Sequence, residues 1–232
     1  MAAEMEGLYT IADNTFRPEI SHVELAQAYL KGGAGIVQLR MKRDYGPRTT
    51  DYGPVHGPIL DIAKKIMKLK SRYNFLFIIN DYVAIAQEIG ADGVHVGADD
   101  MSVAKARSLV GDKMLIGYSA HSLEEAVAAE KAGADYVAFG AIFPTKTKGP
   151  GHPVQGLEKL RVVVETLRVP VVAIGGINQK NLSSVLETGV SAITMISALT
   201  ENCDVIASVS EAIQLLQRDC FGLRPRNDNV FL

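Results

Sequence analysis

Short apolar runs alternate along most of the chain with segments in which apolar residues recur about every 3.6 positions. The runs are GLYTIAD (7–13), GIVQLR (35–40), FLFII (75–79), GVHV (93–96), MLIGYS (114–119), YVAFG (136–140), VPVVAIG (169–175) and AITMIS (192–197). Strands that are apolar on both sides are typical of a parallel sheet covered by helices. The pattern therefore predicts an α/β protein with eight strands.

Amphipathic segments lie between these runs and predict the helices. They are VELAQAYLKGG (23–33), ILDIAKKIMKLK (59–70), SVAKARSLVG (102–111), SLEEAVAAEKAGA (122–134), GLEKLRVVVETL (156–167), QKNLSSVLETG (179–189) and DVIASVSEAIQLLQR (204–218). So regular a series favours a closed (β/α)₈ TIM barrel over a doubly wound open sheet. We predict a single barrel domain over residues 1–218, with a long loop at 43–58 and a C-terminal tail at 219–232.

Composition restricts the partners of this barrel. The 232 residues carry a formal net charge of -2, and 47% of them are hydrophobic. A near-neutral chain does not suit a nucleic-acid partner, and no apolar stretch approaches membrane-spanning length. The first residues, MAAEMEG, show no signal-peptide pattern. We expect a cytoplasmic protein that acts on small molecules, with no membrane or nucleic-acid partner; self-association stays open, because barrels often pair through their outer helices.

Polar residues gather where the predicted strands end, which is where barrel enzymes carry their chemistry. They are Gln38, Arg40, Lys42, Asn80, Asp81, His95, Asp99, Asp100, Ser119, His121, Thr145, Thr147, Lys148 and Ser197. We expect His95 to be a buried, hydrogen-bonded structural residue, and we assign no role to His121. For Lys42, anion binding beside Arg40 is favoured over Schiff-base chemistry.

Two of these groups are suited to phosphate. Gly175, Gly176 and Ser197 follow strands seven and eight, where barrels commonly bind a phosphate on backbone N–H groups, although glycine there also serves turn geometry. The second group combines hydroxyl and ammonium donors after strands five and six, with Lys146 expected in solvent. Its members are Ser119, Thr145, Thr147 and Lys148.

Two carboxylates predict a metal. Asp81 and Asp100 follow neighbouring strands, and Mg²⁺ is commonly held by one or two carboxylates together with substrate phosphate oxygens. Asp99 is less suited, because adjacent residues of an extended loop point apart. The alternative is that one of these acids caps the helix that begins near Met101.

Seven segments in order resemble the motifs of the thiamine-phosphate synthase family. They are QLRMK (38–42), IIND (78–81), GVHVGADDM (93–101), GYSAHS (117–122), GAIFPTKTK (140–148), VVAIGGI (171–177) and TMISAL (194–199). The resemblance implies a Mg²⁺-dependent transferase that joins hydroxymethylpyrimidine diphosphate to hydroxyethylthiazole phosphate. Departure of diphosphate would leave a pyrimidine carbocation, which the thiazole would capture to form thiamine phosphate.

The resemblance also implies residue roles. The pyrimidine diphosphate would contact Gln38, Arg40, Lys42 and Asn80, while Asp81 and Asp100 would hold Mg²⁺. Ser119 and Lys148 would bind diphosphate oxygens, and with Arg40 they would be the catalytic groups. Thr145 and Thr147 would lie toward the thiazole, whose phosphate would be held by Gly176, Ile196 and Ser197.

The chain departs from the family pattern at Ala98, where Gln is usual, and in the length of the 43–58 loop. Three alternatives stay open. A thiazole tautomerase-like barrel would need neither the metal acids nor the pyrimidine side. A phosphate-binding isomerase of sugar or tryptophan-precursor metabolism would need one phosphate site and an acid/base pair. A non-catalytic phosphometabolite-binding barrel would retain both anion sites without turnover.

Overall fold

The computed structural model describes residues 5–41, 56–145 and 153–196. Its eight strands are β1 (Gly7–Ala12), β2 (Ile36–Leu39), β3 (Leu76–Asn80), β4 (Gly93–Val96), β5 (Leu115–Ala120), β6 (Tyr136–Phe139), β7 (Val171–Ile174) and β8 (Ala192–Thr194). They are parallel and hydrogen-bonded in sequence order, and β8 pairs with β1 to close the barrel. The predicted TIM barrel is confirmed.

The described helices cover the outside of the barrel. They are α1 (His22–Lys31), α2 (His56–Met67), α3 (Val83–Ile89), α4 (Val103–Val110), α5 (Leu123–Lys131), α6 (Gly156–Thr166) and α7 (Leu182–Leu186), with short 3₁₀ turns at Asn14–Phe16 and Lys68–Ser71. None of these helices is long and apolar enough to cross a membrane. The predicted helix at 204–218 and tail at 219–232 lie outside the described residues.

One predicted boundary was wrong. The loop expected over 43–58 ends earlier, because α2 already begins at His56. Pro58 suggested a loop, yet proline is tolerated in the first turn of a helix, where its missing N–H has no intrahelical acceptor. Residues 42–55 lie outside the described part of the chain.

Serine side chains define where three of the helices begin. At α1, Ser21 and Glu24 form a reciprocal capping box, in which each side chain accepts the backbone N–H of the other residue. The hydroxyls of Ser102 and Ser122 accept backbone N–H groups in the first turns of α4 and α5. These caps satisfy donors that have no partner within the helix.

The buried side chains form two layers. The larger layer lies between the strands and the helices and includes Val37, Phe77 and Ile79. The smaller layer fills the barrel interior with residues from alternate strand positions, among them Ile78 and Val172. A cavity lined by polar side chains such as Gln38 and Asn80 lies at the carboxyl ends of the strands, where barrel enzymes carry their chemistry.

A recurring Gly-Ala-Asp sequence ties neighbouring strands together at the opposite end. The Asp92 carboxylate accepts the Phe77 N–H at 2.6 Å, and the Asp135 carboxylate accepts the Ile116 N–H at 2.7 Å. Arg107 pairs with Asp135 and also donates to the Gly133 carbonyl oxygen at 2.9 Å. Each carboxylate of the repeat thus accepts a strand N–H group and also pairs with a cation, which is Lys70 for Asp92 and Arg107 for Asp135.

Asp135→Ala should lower the free energy of unfolding by about 1–3 kcal/mol, because it leaves the Ile116 N–H and a partly buried Arg107 without their carboxylate. Urea denaturation would measure the loss. Glu88→Ala is the matched control: it breaks the solvent-exposed pair with Lys64 and should cost less than about 1 kcal/mol. Equal losses in the two variants would contradict the structural role of Asp135.

Candidate active site

A cavity of about 500 Å³ opens at the carboxyl ends of the strands. Nine of the residues expected at the site line it: Gln38, Arg40, Asn80, Asp81, Asp100, Ser119, Thr145, Gly176 and Ile196. The structure therefore brings together residues from seven of the eight strands and their following loops. The other four expected residues, Lys42, Thr147, Lys148 and Ser197, lie outside the described residues.

Arg40 is held by an acid that the sequence analysis did not select. Its guanidinium forms an ion pair with Asp13, which follows β1 and is only 2% exposed. The other oxygen of Asp13 accepts the Thr15 N–H at 2.9 Å. Burial opposes ionisation of Asp13, but the Thr15 hydrogen bonds and the Arg40 charge outweigh it and hold the carboxyl pKa below its usual value. Arg40 is thereby oriented at the mouth of the barrel.

Asn80 carries a polar atom that the folded protein leaves unsatisfied. The residue is 6% exposed and lines the cavity, yet its amide nitrogen Nδ2 has no hydrogen-bond partner among the described residues. An unpaired buried donor costs about 1–3 kcal/mol. A ligand acceptor at this position, such as a phosphate oxygen, would recover that energy.

The next residue, Asp81, has an unusual backbone conformation. Its φ of 66° is in the left-handed region, and Asp81 is the only described non-glycine residue with a positive φ. Its N–H donates to the His95 carbonyl oxygen at 2.8 Å, which ties the end of β3 to β4. Strain of this kind persists where the surrounding structure imposes it and is frequent at functional sites.

Asp100 closes the turn after β4. One oxygen of its carboxylate accepts the Gly97 N–H at 2.9 Å, and α4 is capped by Ser102 instead. The alternative in which Asp100 caps this helix is therefore wrong. Asp81 and Asp100 both line the cavity, and two carboxylates with space for phosphate oxygens are a donor set that fits Mg²⁺.

Gly175 and Gly176 have a packing reason to be glycine. Their φ values are 100° and 69°. A Cβ at Gly175 would lie 2.6 Å from Ala141, and one at Gly176 would lie 2.7 Å from the Cβ of Phe143. Backbone conformation and packing thus account for the residue type without a ligand, and both glycines also line the cavity.

Ser119 leads to polar residues deeper in the barrel. Its hydroxyl oxygen lies 2.8 Å from His95 Nε2, and His95 Nδ1 lies 3.0 Å from the Tyr136 hydroxyl. The expected buried, hydrogen-bonded His95 is confirmed. Tyr136 and Tyr9 were not selected from the sequence, although strand alternation places Tyr9 on the same face of β1 as Ile11, toward the barrel interior.

The comparisons with known proteins agree with this geometry. A sequence model described as thiamine monophosphate synthase matches residues 8–199. The chain belongs to the thiamine monophosphate synthase family. The family predicted from the seven motifs is thus confirmed.

Named relatives of the family are similar over most of their length. A thiamine-phosphate synthase of Clostridium novyi is 42% identical over 198 residues, which cover 85% of this chain and 92% of the relative. Its counterpart from Pyrococcus furiosus is 40% identical over 210 residues, or 90% and 94% of the two chains. The solved thiamine phosphate pyrophosphorylase from Pyrococcus furiosus superposes with a TM-score of 0.79 at 38% identity, covering 94% of this chain and 98% of that one.

Asn80→Leu should separate stability from ligand binding. Removing the unpaired donor should leave the free energy of unfolding of the free protein unchanged or raise it by about 1 kcal/mol, while inorganic diphosphate binds several-fold more weakly. Urea denaturation and calorimetric titration would measure the two effects. Undiminished diphosphate binding would show that Asn80 does not contact the anion.

Asp13→Asn should lower the free energy of unfolding by about 1–3 kcal/mol at pH 7, because it weakens the bonds to Arg40 and Thr15. The pKa of Asp13 is lower in the folded state than in the unfolded chain, so its contribution is complete above about pH 4 and is lost as pH falls through the folded value. The difference between wild type and variant should therefore shrink below about pH 4.

Denaturant titrations from pH 7 to pH 3 would check this pH dependence. The ionisable groups that interact with Asp13 are Arg40 and His22. Asp61→Asn, on the exposed face of α2, is the control and should behave as the wild type throughout. A difference for Asp13→Asn that stayed constant down to pH 3 would contradict the role of the Asp13 charge.

Proposed function

We propose that this member of the family joins hydroxymethylpyrimidine diphosphate to hydroxyethylthiazole phosphate, releasing diphosphate and forming thiamine phosphate. Thiamine-phosphate synthase is the activity that the family match and the named relatives support. The observation that supports the residue roles best is the convergence of two carboxylates with unpaired or oriented donors in one cavity. These groups are Asp81, Asp100, Asn80, Arg40 and Ser119.

The pyrimidine diphosphate occupies the side of the cavity formed by β2, β3 and β5. Gln38 binds the ring, while Arg40, Asn80 and Ser119 donate to the diphosphate oxygens; Lys42 and Lys148 are assigned the same anion from their sequence motifs. Asp13 supports this assignment, because it holds the Arg40 guanidinium in place before the substrate arrives. Oriented donors of this kind stabilise charge without reorganising during the reaction.

The thiazole phosphate occupies the opposite side. Gly176 and Ile196 line this part of the cavity, and Ser197 follows them in the motif TMISAL. Thr145 lies on the loop between the two sides, and Thr147 belongs to the same segment, so both are assigned to the thiazole. Two anions held at opposite sides would bring the thiazole nitrogen and the pyrimidine methylene face to face.

Asp81 and Asp100 would hold Mg²⁺, which when bound supplies positive charge to the diphosphate oxygens. The Gly97 N–H keeps the Asp100 carboxylate directed at the turn after β4, and the backbone of Asp81 is held by β4. Among the described residues no group of three or more His, Cys, Asp or Glu is placed for a metal. A two-carboxylate site completed by substrate phosphate is consistent with that finding.

The reaction needs no protein nucleophile. The bond between the pyrimidine methylene carbon and the diphosphate oxygen breaks, and its electron pair leaves with the diphosphate. The electron-rich aminopyrimidine bears the resulting positive charge until the thiazole nitrogen donates its lone pair to the methylene carbon. Arg40, Ser119 and Lys148 are the catalytic groups, because they stabilise the charge that develops on the diphosphate.

The carboxylate pair distinguishes this function from the tautomerase alternative. A thiazole tautomerase-like barrel needs neither Asp81 and Asp100 nor the donors of the pyrimidine side. Both carboxylates line the cavity here, as do the described donors Arg40, Asn80 and Ser119. A non-catalytic phosphometabolite-binding barrel would share the geometry and differs only in turnover.

A cytoplasmic location and self-association stay predictions.

Purified protein incubated with both substrates and Mg²⁺ should form thiamine phosphate and diphosphate in equal amounts, measured by chromatography. Asp81→Ala and Asp100→Ala should each reduce the rate at least about tenfold, partly restored by excess Mg²⁺, because each removes a metal ligand. Asp99→Ala, on the exposed neighbouring residue, is the matched control and should retain activity.

Tight binding of both substrates without product would favour the non-catalytic barrel. Full activity of Asp81→Ala or Asp100→Ala would remove that residue from the metal site. Lys148→Ala should weaken diphosphate binding more than thiazole phosphate binding, and the reverse order would mean that the two anion sites are assigned to the wrong loops.

A further inference from the structure

Five side chains form an unbroken line of hydrogen bonds across the barrel interior. Gln38 Nε2 donates to the Tyr9 hydroxyl at 2.9 Å, and the Tyr9 and Tyr136 hydroxyls are 2.8 Å apart. Tyr136 lies 3.0 Å from His95 Nδ1, and His95 Nε2 lies 2.8 Å from the Ser119 hydroxyl. The line thus joins two residues of the proposed substrate site through three that have no assigned role there.

A glycine makes the middle of this line possible. In the strand register, Gly117 of β5 lies between His95 of β4 and Tyr136 of β6. A Cβ on Gly117 would collide with the Tyr136 ring and with His95 Nδ1. The contact between these two side chains therefore depends on a position without a side chain.

Each hydroxyl in the line has a proton to donate. Burial raises the pKa of Tyr9 and of Tyr136 above the usual value, so both phenols stay neutral at physiological pH. Within the described part of the chain, the Tyr9 hydroxyl contacts two polar groups, Gln38 and Tyr136. A buried O–H with no acceptor would destabilise the folded protein, so each phenol must donate to one of its neighbours.

These conditions give the line a direction. The Gln38 amide nitrogen can only donate, so the Tyr9 proton must go to Tyr136 and the Tyr136 proton to His95 Nδ1. A neutral imidazole that accepts at Nδ1 carries its proton on Nε2, from which it donates to the Ser119 oxygen. The Ser119 proton is then directed away from His95 and can be donated to a ligand.

If the hydrogen bonds ran in the opposite direction, Ser119 would repel an anion instead of binding it. If the Gln38 amide were turned by 180°, every donor in the line would become an acceptor, and Ser119 would donate its proton to His95. The serine would then present only lone pairs, which repel phosphate oxygens. The Gln38 amide therefore decides whether Ser119 can bind an anion.

We propose that Tyr9, Tyr136 and His95 are positioning residues that keep the Ser119 hydroxyl oriented as a hydrogen-bond donor to the substrate diphosphate. Because Gln38 Nε2 donates to the Tyr9 hydroxyl, the side-chain carbonyl oxygen of Gln38 is left to accept a hydrogen bond from the amino group of an aminopyrimidine. That contact would hold the Gln38 amide in this orientation. Recognition of the ring thus stabilises the donor at the leaving group. The identification of the ligand as a diphosphate rests on the proposed function, whereas the direction of the hydrogen bonds is a property of the free protein.

NMR of the free protein labelled with ¹⁵N-histidine tests the direction without any substrate. The chain has five histidines, and His95 is assigned as the signal that is lost in His95→Asn. We expect the neutral tautomer protonated at Nε2. A proton on Nδ1 in the wild type would overturn the proposal, whether or not the protein has synthase activity.

Tyr136→Phe tests the functional consequence, because it removes the donor to His95 Nδ1 and keeps the ring. We expect the His95 tautomer to shift toward Nδ1 and inorganic diphosphate to bind about 3–10-fold more weakly by calorimetry. In a Ser119→Ala background the same change should cause no further loss of diphosphate binding, since Tyr136 acts through Ser119. Equal losses in both backgrounds would overturn that coupling.

Thr10→Val is the matched control. Thr10 neighbours Tyr9 on β1, and the substitution removes the buried hydrogen bond that its hydroxyl donates to the Ile36 carbonyl oxygen. Both the His95 tautomer and diphosphate binding should stay unchanged. If Tyr136→Phe does not fold, Tyr9→Phe interrupts the line one bond earlier and is read by the same two measurements. Absence of diphosphate binding in the wild type would contradict the proposed function, while the tautomer would still report the direction of the line.

Discussion

Closure of the barrel is the constraint on which the rest of this structure depends. β8 pairs with β1 through Gly7–Ala192 and Tyr9–Thr194, and this contact joins the two ends of an otherwise open sheet. Because all eight strands are parallel, closure places every strand-end loop around one mouth. Residues as distant in sequence as Gln38 and Gly176 thereby line the same cavity.

The barrel interior changes character along its axis. Toward the amino ends of the strands it is filled by apolar side chains such as Ile36 and Val172. Toward the carboxyl ends the polar groups begin, and several of the described ones are paired, among them Asp13 with Arg40 and Tyr9 with Tyr136. A low-dielectric surrounding strengthens these bonds and makes their directions matter.

The one buried side-chain atom without a hydrogen-bond partner among the described residues lies at the proposed substrate site. Asn80 has an amide nitrogen with no partner among the described residues, and the adjacent Asp81 has a strained backbone. Both features cost stability in the free protein, and both lie in the cavity where an anion and a cation are proposed to bind. The unpaired donor of Asn80 and the strained backbone of Asp81 are thus neighbours at the proposed substrate site.

The sequence by itself determined the eight strands, their parallel order and the family, because apolar runs and ordered motifs are local properties of the chain. Strand-end position was also enough to select Arg40, Asn80 and Asp81 as cavity residues. Only the tertiary structure decided the partners: Asp13 meets Arg40 across 27 positions, and Tyr9 meets Tyr136 across 127. Such pairings depend on strand register and barrel closure, and no spacing along the chain encodes them. The same physical reason explains why Ser119 was selected from the sequence while the residues that orient it were not.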